Sequence, residues 1–408
     1  MIDVSMLLPH MVTKIYVLTL SLLLLAYAVV SVRLGLGRPG IDHSAKFCAM
    51  WLCPEEFSGA RVARLLQESA KQPPDPAIQE LKRALVADSA SAYAWADLGD
   101  ALANANDSGK AKYCFERAAV AGPKDPLILF RTANFFFRTG DNSRTMTTFA
   151  AILRNPDFTD YYTPTFLTFR RMGLPIQTLL QNAIPPKRVP AQAFLRFLTN
   201  GNRLEDAEEV WTWTLKRGLV DEQLTADYLA FLIRQKQETQ AAETWGEINA
   251  GVFPGYRKTN WLFNGNFEKQ PKPGAFDWRF ETNTSVQIEA DNGVLKLVFA
   301  GKENVDFHGV SQAAVLSPGQ WMVNGFIQTQ DITTDQGVSL RVSGDGLDAR
   351  TGTMTGTQSW TEVKQTFEIR PNMSTLVRVE VERPASRHFD NKISGTAWVR
   401  KIELAPVR

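Results

Sequence analysis

Residues 92–123 read AYAWADLGDALANANDSGKAKYCFERAAVAGP, and this stretch decides how the first half of the chain folds. It holds two helix-length segments and ends at Pro123, where a ring without an N–H stops a helix. Gly99 and Ala111 are small where two helices of a hairpin would cross closely. Phe115 and Ala118 share one helical face, available to the next hairpin. The same positions recur at an interval of 34 residues: Ala77, Ala111 and Thr145; Leu81, Phe115 and Phe149; Ala84, Ala118 and Ile152. Ala207 with Ala241 and Trp211 with Trp245 resume the interval. A fixed period of this length predicts stacked helical hairpins, none of which buries its apolar face alone. Such arrays hold partners rather than perform chemistry.

Counted from Ala92, the unit carries Trp95, Leu98, Gly99, Ala111, Phe115, Ala118 and Pro123 at its fourth, seventh, eighth, twentieth, twenty-fourth, twenty-seventh and thirty-second positions. That order resembles the tetratricopeptide repeat, with Leu102 where the family has an aromatic residue. The neighbours from Pro126, around 160–184, 188–218 and 222–250 are degenerate versions. The resemblance implies that the first helix of each hairpin lines a groove for a protein segment. Its contact positions are Tyr93, Ala96, Asp100, Ala103 and Asn104, then Leu127, Phe130, Asn134, Phe137 and Arg138. Phe130 and Phe137 also fit packing against neighbouring helices.

Near Tyr256 the texture changes to short alternating runs such as Val294–Phe299 and Leu376–Val381, separated by Gly, Asn, Asp and Pro. These predict an antiparallel sandwich or jelly roll. The segment opens with Asn264-Gly265-Asn266-Phe267-Glu268 and Phe276-Asp277-Trp278. It continues with Pro318-Gly319-Gln320-Trp321 and Ser359-Trp360, and closes on Phe389-Asp390-Asn391 and Trp398. This ordered set resembles carbohydrate-binding modules of the four/nine type. The resemblance implies a jelly roll, often with a structural calcium, and a sugar-binding cleft on one sheet. It makes Trp278, Trp360 and Trp398 structural. Sugar binding needs aromatic faces flanked by amides, acids or Arg; Phe307, His308, Gln312, Trp321 and Arg341 are the candidates, with core packing the competing role for Trp321.

Before the repeats, Ile15–Val32 is apolar and uncharged, about 27 Å long as a helix, close to a bilayer core of roughly 30 Å. Ala26-Tyr27-Ala28 resembles a signal cleavage site, but the apolar run continues beyond it, which favours an uncleaved anchor. The division expected is a tail (1–14), a transmembrane helix (15–33), a juxtamembrane linker (34–57), helical repeats (58–255) and a jelly roll (256–408). Arg33, Arg38 and Lys46 on the far flank argue against export by the positive-inside rule. The carbohydrate-module resemblance nevertheless places the body in the periplasm or outside a bacterial inner membrane.

The chain has 45 basic and 43 acidic residues, net +2, without the basic face of a nucleic-acid binder. Cys48 and Cys53 could pair in an oxidising compartment, whereas Cys114 reads as a core residue. Four histidines, scattered, suggest no metal cluster. Ser108-Gly109-Lys110 precedes Ala111 and lacks the earlier glycine of a phosphate loop. No Gly-x-Ser-x-Gly elbow occurs. The expectation is a membrane-anchored, non-catalytic adaptor that binds a protein through its repeats and glycan through its jelly roll, in envelope or exopolysaccharide assembly or export. A scaffold whose jelly roll has no sugar ligand is one alternative. A glycan-active enzyme built on the jelly roll, with paired carboxylates, is the other.

Overall fold

The structure is a computed structural model that describes Ser21, Leu24, Leu25 and residues 75–281, 284–371, 375–389 and 391–407. Ser21, Leu24 and Leu25 are helical; the rest of the apolar run 15–33, the linker with Cys48 and Cys53, and residues 58–74 lie outside the described residues. Among the described residues no helix is long and apolar enough to cross a membrane. Among the described residues from Asp75 onward, eleven α-helices are followed by two antiparallel sheets. The chain divides into two compact units, one ending at Ala193 and one spanning Phe194–Arg408.

The first unit contains α1 (Asp75–Ala87), α2 (Ala92–Asn104), α3 (Ser108–Ala121), α4 (Pro126–Arg138), α5 (Asn142–Leu153), α6 (Tyr162–Met172), α7 (Ile176–Asn182) and the start of α8 (Arg188–Asn200). Asp107, Asp125 and Asp141 cap α3, α4 and α5 by accepting backbone N–H bonds, so short turns suffice between helices. The periodic residues are the buried ones: Leu81, Phe115, Phe149, Ala111, Thr145, Ala118 and Ile152. Phe115 shows how two hairpins are joined. Its ring stacks on Phe135 at 4.6 Å between centroids. A Cβ on Gly99 would lie 2.9 Å from the same ring, so a side chain there is excluded by the close helix crossing. A 3₁₀ turn, Pro156–Tyr161, and the seven-residue α7 account for the shortened interval after Thr145.

In the second unit α9 (Leu204–Lys216), α10 (Glu222–Arg234) and α11 (Glu238–Ile248) precede the strands. Trp211 stacks on Tyr228 at 4.2 Å. Trp245, Phe253 and Tyr256 each meet Phe263 in an edge-to-face arrangement at 4.6–5.5 Å. This aromatic cluster continues the core of the last hairpin into the strand region, which is why α9–α11 and the sheets form one unit.

The strands are β1 (Arg279–Phe280), β2 (Val286–Asp291), β3 (Val294–Ala300), β4 (Phe307–Val315), β5 (Gly319–Ile332), β6 (Ser339–Gly344), β7 (Leu347–Arg350), β8 (Gly356–Ile369), β9 (Leu376–Arg383) and β10 (Ser394–Pro406). They form one sheet in the order β1-β4-β9-β6-β7 and another in the order β2-β3-β10-β5-β8. Leu297, Val323, Ile327 and Val399 of the second sheet share a single core with Val310, Leu340, Val379 and Val381 of the first. The opening turn is locked from several sides. The Asn264 side chain bonds both backbone groups of Lys269, and its carbonyl accepts from Trp278 Nε1.

Asp277 beside this turn is buried, accepting the N–H groups of Lys272 and Trp278 at 2.9 and 2.8 Å. Burial nevertheless outweighs these bonds and pushes its carboxyl up to about 6. Its folded pKa exceeds its unfolded value of about 3.9, so the folded state binds more proton between those values. Its stabilising contribution is full below about 4 and is lost as pH rises through about 6. The Tm difference between wild type and Asp277→Asn is therefore expected to shrink as pH is raised from about 5 to about 7. Thermal melts at both pH values check this, and a pH-independent difference contradicts it.

Candidate functional site

Three surfaces carry the chemistry. The first lies on α2 and α4. Asp100 accepts from Arg131 at 2.7 Å and from Arg138 at 3.5 Å, and Arg131 also holds Asp97 at 2.7 Å. Desolvation raises the Asp97 carboxyl against the pull of Arg131. Tyr93 donates its hydroxyl to Asp125 at 2.7 Å, which, with burial, pushes the phenol up to about 12. Asn134 donates to the Phe130 carbonyl, and the Phe130 ring sits 5.7 Å from both Phe149 and Tyr161. Phe137 is half-buried, and Asn104 and Arg138 are exposed. The structure thus brings Tyr93, Asp100 and Arg138 into polar pairs between successive first helices, while Phe130 is packed between aromatic rings. Arg131, the centre of the cluster, was not among the sequence candidates. It stands 34 residues after Asp97, so the repeat itself placed the two side by side.

The second surface is the outer face of the β1-β4-β9-β6-β7 sheet. Val377, Val379 and Val381 face the core, and the alternate residues Arg378, Glu380 and Glu382 face away. Both glutamates are buried beneath a lid of cations. Arg378 Nε lies 3.1 Å from Glu380, and Arg350 Nε lies 2.9 Å from Glu382. Arg341 reaches Glu380 at 3.5 Å and Asp348 at 2.7 Å. His308 Nδ1 lies 3.8 Å from each glutamate, with Nε2 3.3 Å from Asp306. Burial raises the Glu382 carboxyl against its cationic neighbours. His308 and Arg341 therefore do converge on this face: Arg341 is paired with Asp348 and Glu380, while His308 Nδ1 and Glu382 Oε2 are buried without a hydrogen-bond partner.

The remaining sugar candidates are placed in the interior. Phe307 is 1% exposed, with Phe299 against its ring at 6.2 Å. Trp321 is 2% exposed, donates to the Ser317 carbonyl and packs on Trp261. Neither ring offers a face to a pyranose. Gln312 spends its amide on Phe263, donating to its carbonyl at 2.7 Å and accepting its N–H at 2.8 Å. These three are corrected to structural residues. Bulky rings at core-phase strand positions, and a buried amide that satisfies both backbone groups of Phe263 in a turn, are the physical reason.

The third surface is the outer face of the β2-β3-β10-β5-β8 sheet. Register places Trp398 between Lys296 and Gln328, and Phe326 between Arg400 and Glu362. The Arg400 guanidinium stands 4.1 Å from the centre of the Trp360 ring. Trp398, Phe326 and Trp360 are half-exposed. Neighbouring strands are about 4.8 Å apart, so these rings and their amide, acid and basic neighbours lie within the span of a short oligosaccharide. Trp360 and Trp398, read from sequence as structural, belong to this face. The signal was present: Ala397 and Val399 flank Trp398, and Gly325 and Ile327 flank Phe326, so both rings fall in the polar phase of their strands.

For a calcium ion, no group of three or more His, Cys, Asp or Glu side chains suited to a metal occurs among the described residues. The oxygen-rich cage at one end of the sandwich is filled by the Arg383 guanidinium, which donates to Asn304, Val305, Thr334, Gln336 and Asn391. A cage already holding an internal cation does not fit a metal.

No family model matches the chain, and no curated protein matches it. Among solved structures, TmCBM61 in complex with β-1,4-galactotriose is similar at 14% identity, covering 36% of this chain and 99% of that one, with a TM-score of 0.27. Pseudomonas aeruginosa pilF is similar at 15% identity over 48% of this chain and 92% of that one, TM-score 0.26. PilW, a type IV pilus biogenesis factor, is similar at 16% identity over 48% and 94%, TM-score 0.26. Overlap and identity of this order carry no functional weight.

Proposed function

We propose that this chain is a non-catalytic adaptor, anchored to a bacterial inner membrane by the segment 15–33, with its body outside the cytoplasm. Its tetratricopeptide-like array holds a protein partner along the first-helix face at Tyr93, Asp100, Asn134 and Arg138. Its jelly roll contacts glycan, in the assembly or export of an envelope or secreted polysaccharide. The observation that carries the glycan reading is the row of half-exposed rings, Trp398, Phe326 and Trp360, flanked by Gln328, Lys296, Glu362 and Arg400 on one sheet. Flat apolar faces suit the C–H side of pyranose rings, and planar polar groups beside them suit hydroxyls. The ionic face with His308 and Arg341 is a weaker candidate, since its arginines are paired with Asp348, Glu380 and Glu382.

Titration of the full-length chain with a panel of soluble polysaccharides tests this reading. Binding is expected for at least one, with Trp398→Ala weakening it by about ten-fold or more, equivalent to ~1.4 kcal/mol. Absence of binding to every glycan by a folded chain sinks the sugar role. Binding lost in Arg341→Ala but kept in Trp398→Ala moves the site to the other sheet. Turnover of a glycan abolished by a single carboxylate change replaces the adaptor with an enzyme. A reporter fused after Arg408 is expected to signal outside the cytoplasm.

A further inference from the structure

On the helical unit, α1, α2 and α3 enclose a groove of about 520 Å³. Its floor is Leu85, Leu98, Leu102 and Cys114, all buried. Its walls are Val86 and Tyr113, which are 89% and 56% exposed. Large exposed apolar side chains around an apolar concavity mark a contact surface rather than a solvated one. Burial pushes the Cys114 thiol up to about 11, so the floor is uncharged at neutral pH. The rim is cationic. Lys82 and Lys110 line it, and Arg117 stands over the Trp95 ring at 5.7 Å. Asp107, paired with Lys110, offsets one of these charges.

We propose that this groove docks an acidic amphipathic helix of a partner protein, its apolar side chains between Val86 and Tyr113 and its carboxylates against Lys82 and Lys110. The volume lies within the range of pockets that seat several apolar groups. A helix presents such groups from one face at every third or fourth residue. Charge decides the occupant. A second copy applying the same face would set Lys82 and Lys110 against their own counterparts, whereas an acidic helix gains from both. The groove shares no lining residue with the Asp100–Arg138 cluster or with the half-exposed rings of the sandwich, so the proposal stands or fails independently of the glycan reading.

The probe is a synthetic amphipathic helix with leucines on one face and glutamates on its flanks, compared with the same helix carrying lysines for glutamates. Fluorescence anisotropy with the full-length chain is expected to show binding of the acidic helix and not of the basic one. Val86→Asp and the pair Lys82→Glu with Lys110→Glu should each weaken it by about ten-fold or more, with helical circular dichroism unchanged because all three side chains are exposed. Arg171→Glu, an exposed charge on α6, should leave binding as it was. No binding of the acidic helix, equal binding of both helices, or indifference to the groove variants overturns the proposal. Zero-length cross-links from Glu55 or Glu56 to Lys82 or Lys110 in the free chain would assign the groove to the chain's own amino-terminal segment instead. Concentration-dependent dimerisation abolished by Val86→Asp would assign it to a second copy. Either result also overturns it.

Discussion

Arg383→Met is expected to melt the sandwich at a temperature lower by roughly 10 °C. Arg383 is wholly buried, and its guanidinium supplies hydrogen bonds to the Val305, Gln336 and Asn391 carbonyls and to the Asn304 and Thr334 side chains. These acceptors come from three separate loops, which the one side chain ties together. Methionine fills much of the volume but donates nothing, so several oxygens lose their partner in a place water reaches poorly. Breaking a buried charged network typically costs about 3–5 kcal/mol. At about 2–4 °C per kcal/mol for a unit of this size, that becomes the stated loss. Arg383→Lys should recover only part of it, because an ammonium has three donors and no planar fork. Differential scanning calorimetry of the full chain reads both, and a melt of Arg383→Met indistinguishable from wild type shows that the cage is not held by its cation.

Phe115→Ala carries the second large effect, on the helical unit. The ring is fully buried, stacked on Phe135 and pressed against Gly99. Truncating such a side chain costs about 3–5 kcal/mol through lost burial and the cavity left behind. The close crossing gives the prediction a sharper form. In the wild type, Gly99→Ala forces a Cβ to within 2.9 Å of the Phe115 ring and should destabilise. In the Phe115→Ala background that contact is gone, and alanine's helix propensity over glycine, about 1 kcal/mol, should make the same change stabilising. Urea denaturation of the four variants checks the reversal. Additive effects would mean that the crossing relaxes without strain.

Much of the helical half was legible because its signal is local and repeated. The 34-residue interval named Leu81, Phe115 and Phe149 before any contact was visible, and all three are buried. A helix crossing its neighbour at a constant geometry demands the same small and large residues each time. The strand half was legible as a class, since alternation and turn residues reveal strands, but its candidate site was not. Trp321 and Trp398 each stand in an alternating strand. One is core and the other faces outward because of the phase of its neighbours, and the resemblance drew attention to the motif instead of the phase. The ionic face shows a further limit: nothing beside His308 or Arg341 in the sequence points to Glu380 and Glu382, yet Glu380 pairs with Arg341 and both glutamates stand 3.8 Å from His308 Nδ1.

By itself the sequence determined the periods: the helical repeat, the strand alternation, the residues that fill each core and the change of architecture near Tyr256. Backbone geometry sets these within a few tens of residues, so they survive without knowledge of the whole. Only the tertiary structure decided which side chains meet. Trp398, Phe326 and Trp360 share a face because β10 lies between β3 and β5, and β5 beside β8. Val86 and Tyr113 flank one groove because α1 and α3 pack against the same side of α2. Register and packing between segments distant in the chain depend on the total burial achieved by the whole unit, and no local period encodes that sum.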